Sequence, residues 1–321
     1  MSQAAKTTPP HLETIREAHR RIAPHIHRTP VFTSASLDES AGAKLFFKCE
    51  NLQRTGSFKI RGATNAVFSL SDAEAARGVV THSSGNHAAA LSSAARRRGI
   101  PAWVVMPTNA PKVKCQAVEA YGGKITFCEP TLQARESTAA EIEVRTGAIL
   151  IHPFDNDRII AGQGTAALEL LEEVPDLDFV IAPVSGGGLL SGTAIASRAI
   201  RPQIRVIGAE PKNADDAYRS LQAHHIVAAD HPDTIADGLR ASLAPRTFAI
   251  LDRLVHGISL VTEEEIVATM RLLWERLKLV VEPSGAVPAA PALSRHIGAE
   301  GKRVGIILSG GNVDLAELPF A

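Results

Sequence analysis

Short apolar runs alternate with segments of helical period along most of this sequence, and that alternation limits the fold more than any other feature. Leu45-Phe46-Phe47, Gly78-Val79-Val80-Thr81, Ala102-Trp103-Val104-Val105-Met106 and Lys124-Ile125-Thr126-Phe127 read as buried strands. Ala148-Ile149-Leu150-Ile151, Phe179-Val180-Ile181-Ala182, Arg205-Val206-Ile207-Gly208 and Val304-Gly305-Ile306-Ile307-Leu308 continue the series. Between them, residues 88–98, 112–121, 131–145 and 159–172 suit amphipathic helices. Continuous apolar strands separated by helices predict an α/β fold of open parallel sheets with helices on both faces. The 321 residues suffice for two domains. Residues 78–151 make three or four compact βα units. They are expected to form a small mobile domain inserted into a large one built from 1–77 and 152–321.

Composition removes several classes of function. Lysine plus arginine equal aspartate plus glutamate at 34 each, so no field of one sign recruits nucleic acid or anionic lipid. A small, locally recognised ligand is expected instead. The three cysteines, Cys49, Cys115 and Cys128, show no CxxC spacing and argue against a disulfide framework or a zinc site. No apolar run approaches membrane-spanning length and the N-terminus is polar, so a soluble cytoplasmic protein is expected. The histidines show no HExxH spacing, and neither GxSxG nor GxxxxGK[ST] is present.

Four ordered motifs carry the chemistry. Lys59 stands in Ser57-Phe58-Lys59-Ile60-Arg61-Gly62-Ala63 and is a candidate amine nucleophile. Ser83-Ser84-Gly85-Asn86-His87 follows a strand and opens a helix, where hydroxyls, an amide and free backbone N–H groups can hold a carboxylate. An ordinary N-cap is the plainer reading of that turn. Ser185-Gly186-Gly187-Gly188, followed by Leu189, is a glycine turn between a strand and a helix and can cradle a phosphate. A tight turn requiring positive φ explains the glycines equally well. Ser309-Gly310-Gly311-Asn312 ends the last strand. Together these are the parts that pyridoxal phosphate chemistry requires, and a neutral serine such as Ser309, if it faced the pyridine nitrogen, would favour elimination or proton exchange over transamination. A Ser-Gly-Gly turn after a strand is also common in any α/β protein. Glu210 and Asp216, with a backbone carbonyl between them, can supply hard oxygen ligands to a divalent cation, or cap a helix. Glu282-Pro283-Ser284-Gly285-Ala286 precedes another helix and can line the cofactor pocket.

These residues, in this order, closely resemble the fold-type II pyridoxal phosphate family, and within it the group of serine racemases, serine/threonine dehydratases and 3-hydroxyaspartate dehydratases. The resemblance runs from about residue 22 to 315. It implies two open parallel-sheet domains with pyridoxal 5'-phosphate in the cleft, Lys59 forming the internal aldimine and acting as base. Phe58 would lie beside the ring and Asn86 would bond its 3′-oxygen, with the phosphate held by Ser185, Gly186, Gly187, Gly188 and Leu189, and the pyridine nitrogen by Ser309. Ser84 resembles the opposite-face acid/base of the racemases and hydroxyaspartate dehydratases. Glu210, Ala214 and Asp216 match that group's site for magnesium, calcium or manganese, and Arg135 and Ser242 match positions that contact a dicarboxylate. Ser185, and Phe154-Asp155-Asn156, depart from the animal racemase pattern. A homodimer is implied, without the regulatory C-terminal domain of biosynthetic threonine dehydratases.

The expected activity is dehydration of a 3-hydroxy amino acid (serine, threonine or 3-hydroxyaspartate) to a 2-oxo acid and ammonia. Serine racemisation with side dehydration is the near alternative. A catalytically silent ligand-binding protein on the same fold is the alternative of another class.

Overall fold

The computed structural model describes residues 10–320. Strands β1 (Val31–Phe32), β2 (Lys44–Cys49), β3 (Val79–His82), β4 (Ala102–Pro107) and β5 (Lys124–Cys128) come first. They are followed by β6 (Ile149–Leu150), β7 (Phe179–Pro183), β8 (Arg205–Pro211), β9 (Gly257–Val261) and β10 (Arg303–Leu308). The helices of the first half are α1 (Leu12–Ile22), α2 (Ala35–Ala41), α3 (Lys59–Phe68), α4 (Asp72–Ala76), α5 (Asn86–Arg98) and α6 (Lys112–Ala120). Those that follow include α7 (Leu132–Thr146), α8 (Asp157–Glu173), α9 (Gly188–Ile200), α10 (Asp216–Ala223), α11 (Pro245–Leu254) and α12 (Glu263–Leu277).

Six strands pair in the order β1-β2-β10-β7-β8-β9, and four in the order β5-β4-β3-β6. The pairings are parallel except that of β1 with β2, a two-residue antiparallel edge too short to be read as an apolar run. β9 is the other strand the sequence pattern did not mark. Four of its five residues are half-buried, so it lacks the continuous apolar signature of its neighbours. The remaining strands fall where the apolar runs place them.

Period-two geometry divides the larger sheet into two buried faces. Leu45, Phe47, Ile181, Val304 and Ile306 join one core, whereas Val180, Ala182, Val206 and Ile307 join the other. A third core, of Ile60, Ala63, Val67, Leu91, Ala94 and Ile159, lies where α3 and α8 meet α5 at the smaller sheet. Each large aliphatic side chain so buried contributes about 1.5–3 kcal/mol. No described helix is long and apolar enough to cross a membrane.

Helix α8 packs against both α3 and α9 at backbone contact distance, and glycine makes that possible. A Cβ on Gly162 would stand 2.6 Å from the Gly62 Cα and 2.7 Å from the Arg61 carbonyl oxygen. On the other flank a Cβ on Gly192 would stand 2.5 Å from the Gly164 nitrogen. Backbone cannot yield as a flexible side chain would. Gly162→Ala should therefore destabilise the protein by about 1–3 kcal/mol, read as a fall in melting temperature. An unchanged melting temperature would contradict this packing.

Candidate active site

Strands β7 and β10 pair in parallel, Val304 opposite Phe179 and Ile306 opposite Ile181, so their C-terminal ends emerge side by side. Ser309 and the glycine turn at 185–188 are thereby neighbours. Lys59 is drawn to the same place by its backbone: Phe58 N–H donates to the Ser309 carbonyl at 3.0 Å, and Ser57 bridges Gly310. The approach to Lys59 is a tight turn, with φ of 61° at Thr55 and 73° at Gly56. Such a conformation strains a threonine and is held only by its surroundings. Asn312 supplies part of that hold, donating to the Thr55 carbonyl at 2.8 Å and to the Asn86 side-chain oxygen at 2.9 Å. Asn86 in turn donates to Glu282 at 2.8 Å. The turn after β3, Glu282, Lys59, Ser309 and the glycine loop are thus one site at the C-terminal strand ends, where open α/β sheets bind ligands.

The helices that begin at this site start without a capping side chain. None is bonded at the start of α3, α5 or α9, as also at α6 and α11, whereas Ser34, Ser71, Thr131, Asn156 and Thr262 cap α2, α4, α7, α8 and α12. The expectation of an ordinary N-cap at Ser83 or Ser84 is therefore not met. Gly85 occupies the cap position, and the Ser84 hydroxyl has no partner among the described residues. In α9 the first intrahelical bond runs from Ser191 to Gly187, leaving the N–H groups of Gly188 and Leu189 without an acceptor among the described residues. Gly187 has φ 88°, and a Cβ there would meet Thr247 at 2.8 Å. The Phe154 ring fills the space a Cβ on Gly186 would need. Ser185 has its hydroxyl occupied, accepting from Ala241 N–H at 2.9 Å and donating to the Ala241 carbonyl at 3.1 Å. Only its backbone is left for an anion. A free helix start behind a glycine turn fits a phosphate group.

Burial sets the titration of the site. It lowers the Lys59 amine to about 8 against the opposing charge of Glu282. The amine donates to the Pro153 carbonyl at 3.3 Å and lies 5.1 Å from the centre of the Phe58 ring. Burial likewise lifts Glu282 to about 8, with Asp237 adding and the Asn86 hydrogen bond opposing. It lowers His87 to about 3 and His152 to about 4 and pushes His82 down, so these imidazoles are neutral at physiological pH. The Ile151 carbonyl, 3.2 Å from His87 Nε2, can only accept, which makes that nitrogen the donor and leaves Nδ1 a buried lone pair without a partner. The Ser309 hydroxyl donates to the Ser284 carbonyl at 3.4 Å, a weak bond that leaves it able to turn.

The candidates Ser242 and Arg135 are not hydrogen-bonded to this cluster. Ser242 accepts from Ala229 N–H at 2.7 Å and shapes its own loop. Arg135 is half-buried on α7 with Nε on the Thr131 carbonyl at 3.4 Å, and its charge helps lower His82. Sequence reasoning missed the Pro153 carbonyl, and it quoted Asn312 without assigning it a task.

Glu210 and Asp216 lie together, both buried. Glu210 accepts from the N–H groups of Ala217 at 3.0 Å and Tyr218 at 2.8 Å, so it does cap α10. Burial nonetheless lifts it to about 9, with the Asp216 charge adding, and burial lifts Asp216 to about 6. One Asp216 oxygen is buried with no partner among the described residues. Two desolvated carboxylates with an orphaned oxygen fit a hard cation. No cluster of three or more His, Cys, Asp or Glu side chains suited to a metal occurs among the described residues.

Residues 22–310 match the family model described as pyridoxal-phosphate dependent enzyme. The chain is 53% identical over 311 residues to the beta-hydroxyaspartate dehydratase of Paracoccus denitrificans (strain Pd 1222), covering 97% of this chain and 99% of that one. It is 53% identical over 310 residues to the serine racemase of Arabidopsis thaliana, covering 95% and 94%. The structure of maize serine racemase superposes with a TM-score of 0.95 at 49% identity, covering 96% of this chain and 95% of that chain.

The raised carboxyls of Glu210 and Asp216 bind protons more tightly folded than unfolded. Their favourable contribution is complete below about pH 4 and is lost as pH rises through 6 and then 9. In chelator, the melting temperature of the wild type should fall between pH 6 and 9 relative to that of Glu210→Gln, which lacks the ionisable group. Parallel pH profiles for the two proteins would contradict the assignment.

Proposed function

We propose that this chain, which belongs to the pyridoxal-phosphate dependent enzyme family, is a dehydratase that converts a 3-hydroxy amino acid to a 2-oxo acid and ammonia. The observation that carries this reading is the half-buried Lys59 amine, lowered to about 8 by desolvation, on a backbone tied to Ser309 and Gly310. Similarity to both a beta-hydroxyaspartate dehydratase and serine racemases supports the same chemistry, because the two reactions begin with loss of the α-proton.

When bound, pyridoxal phosphate supplies the electron sink for the pair left by that proton. The chain's residues supply binding, position and proton transfer. Lys59 would hold the cofactor covalently and then take the α-proton, its amine being partly unprotonated near neutral pH. The free N–H groups at the start of α9 would hold the phosphate. Ser309 would face the pyridine nitrogen with a neutral hydroxyl, which cannot keep it protonated as a carboxylate would. Asn86, oriented by Glu282 and Asn312, would bond the ring oxygen. The uncapped start of α5, with Ser83, Gly85 and the backbone of His87, would take the substrate carboxylate. Lys59 would then pass the proton it took to the 3-hydroxyl, which would leave as water, and the released enamine would tautomerise to an imine that a water molecule hydrolyses to the 2-oxo acid and ammonia.

Magnesium, calcium or manganese would bind Glu210, Asp216 and the Ala214 carbonyl away from the reacting carbon, holding the region of Leu243 and Ser242 through Asp216. Residues 1–77 with 152–321 would form the cofactor-binding unit and 78–151 the unit that closes on it. The proposed assembly is a cytoplasmic homodimer.

Racemisation is the second reading, favoured by the unpartnered Ser84 hydroxyl, which is free to return a proton to the opposite face. Ser84→Ala should leave ammonia release from L-serine within about threefold of wild type while D-serine formation falls by at least about tenfold. Equal loss of both would assign Ser84 to carboxylate binding. Arg135 offers a planar guanidinium for a second carboxylate. Arg135→Ala should lower kcat/KM for 3-hydroxyaspartate by about 10–100-fold, against at most about threefold for serine and threonine. Equal losses on the three substrates would contradict dicarboxylate recognition.

A further inference from the structure

Arg61, two residues beyond Lys59 in the first turn of α3, is the largest of the fully buried side chains among the described residues. Each N–H of its guanidinium has an acceptor. Nε donates to Glu50 Oε2 at 2.6 Å and Nη2 to Glu50 Oε1 at 2.8 Å. On the other edge Nη2 donates to Glu169 Oε2 at 2.8 Å, and Nη1 to Glu169 Oε1 at 2.8 Å and Thr165 Oγ1 at 3.1 Å. Lys48, also fully buried, donates to Glu169 at 2.7 Å and to the Thr29 carbonyl at 2.6 Å. The Thr29 hydroxyl closes the ring on Glu50 at 2.6 Å. Two buried cations face two buried anions, drawn from α3, α8, β2, the residue after β2 and the segment before β1.

Stability alone is a poor reason for such a cluster. Apolar residues of the same volume serve a fold as well as a buried ion pair does, and often better. What a doubly bidentate guanidinium adds is direction, because two planar forks fix it in both plane and rotation. The first turn of α3 needs that. It has no capping side chain, and its Gly62 N–H is met only from outside, by Gln163 of α8 at 3.1 Å.

We propose that Arg61 is a positioning residue for Lys59: Glu50 and Glu169 clamp its guanidinium, the clamp fixes the first turn of α3, and that turn holds the amine at one place in the site. The inference rests on Lys59 being the functional amine. Loosening the clamp exposes the half-buried amine further and lets it wander from its reacting position, which affects turnover more than substrate binding.

The test uses the full-length chain carrying Arg61→Lys, which keeps the charge and loses the fork. Without cofactor, the pH dependence of Lys59 acetylation, read by mass spectrometry, should show a midpoint near 8 in the wild type. In the variant the midpoint should rise by about one unit toward the ordinary lysine value. With pyridoxal phosphate, kcat should fall by at least about tenfold while KM stays within about twofold. Wild-type midpoint and kcat, with only a lower melting temperature, would overturn the proposal and leave the cluster as a brace for the fold. Should Arg61→Lys not fold, the double variant Lys48→Met, Glu169→Gln removes one charge of each sign and leaves Glu50 on Arg61. It should raise the midpoint in the same direction, and an unmoved midpoint there also overturns the proposal. If wild-type Lys59 is not protected from acetylation by pyridoxal phosphate, the reading of Lys59 fails instead, and the two failures are distinguishable.

Discussion

Helix α8 touches α3 and α9 through glycine on both flanks, and the geometry of the site follows from those two contacts. Gly162 meets Gly62 in the first turn of α3, and Gly164 meets Gly192 in α9. Helix α3 begins with Lys59, the proposed reactive amine, and α9 follows the glycine turn proposed to hold the phosphate. At ordinary separations of 8–10 Å between axes, helices interdigitate side chains and can slide by small amounts. Contact between backbones removes that freedom, so the distance from Lys59 to the glycine loop is set by α8.

The same region trades local stability for open binding groups. Capping side chains contribute about 0.5–2 kcal/mol each, and the three helices that start at the site have none. The loss is offset by contacts from outside the helices: Gln163 on Gly62, Asn312 on Thr55 and Asn86, and the buried ions around Arg61. Removing one partner of such a buried ion cluster costs about 3–5 kcal/mol, so the arrangement is hard to lose piecemeal. Electrostatics points the same way. Burial keeps His82, His87 and His152 neutral, and Lys59 and Glu282 both titrate near 8, so the site is poised to exchange protons near neutral pH.

Local signals in the sequence were legible and long-range ones were not. The alternation of apolar runs gave the two sheets, and the four motifs could be placed at strand ends because each is a short string beside a strand or helix. β9 escaped because its half-buried residues carry no continuous apolar run, and β1 because two residues carry no pattern. The Glu50–Arg61–Glu169 cluster joins residues 11 and 108 positions apart, and no local spacing announces such a pairing. Glu210 was read as either cap or ligand. The structure shows why those alternatives were not exclusive, since its carboxylate caps α10 while lying beside the orphaned oxygen of Asp216. The Pro153 carbonyl lay beyond reach, because a backbone acceptor has no residue type to mark it.

The central claim is that Lys59 is the amine on which the chemistry turns. It is tested most directly by reducing the pyridoxal phosphate-loaded protein with borohydride and mapping the modified peptide by mass spectrometry. The account predicts one stoichiometric pyridoxyl adduct, on Lys59. An adduct on another lysine, or a protein that takes up pyridoxal phosphate without any reducible linkage, would contradict it.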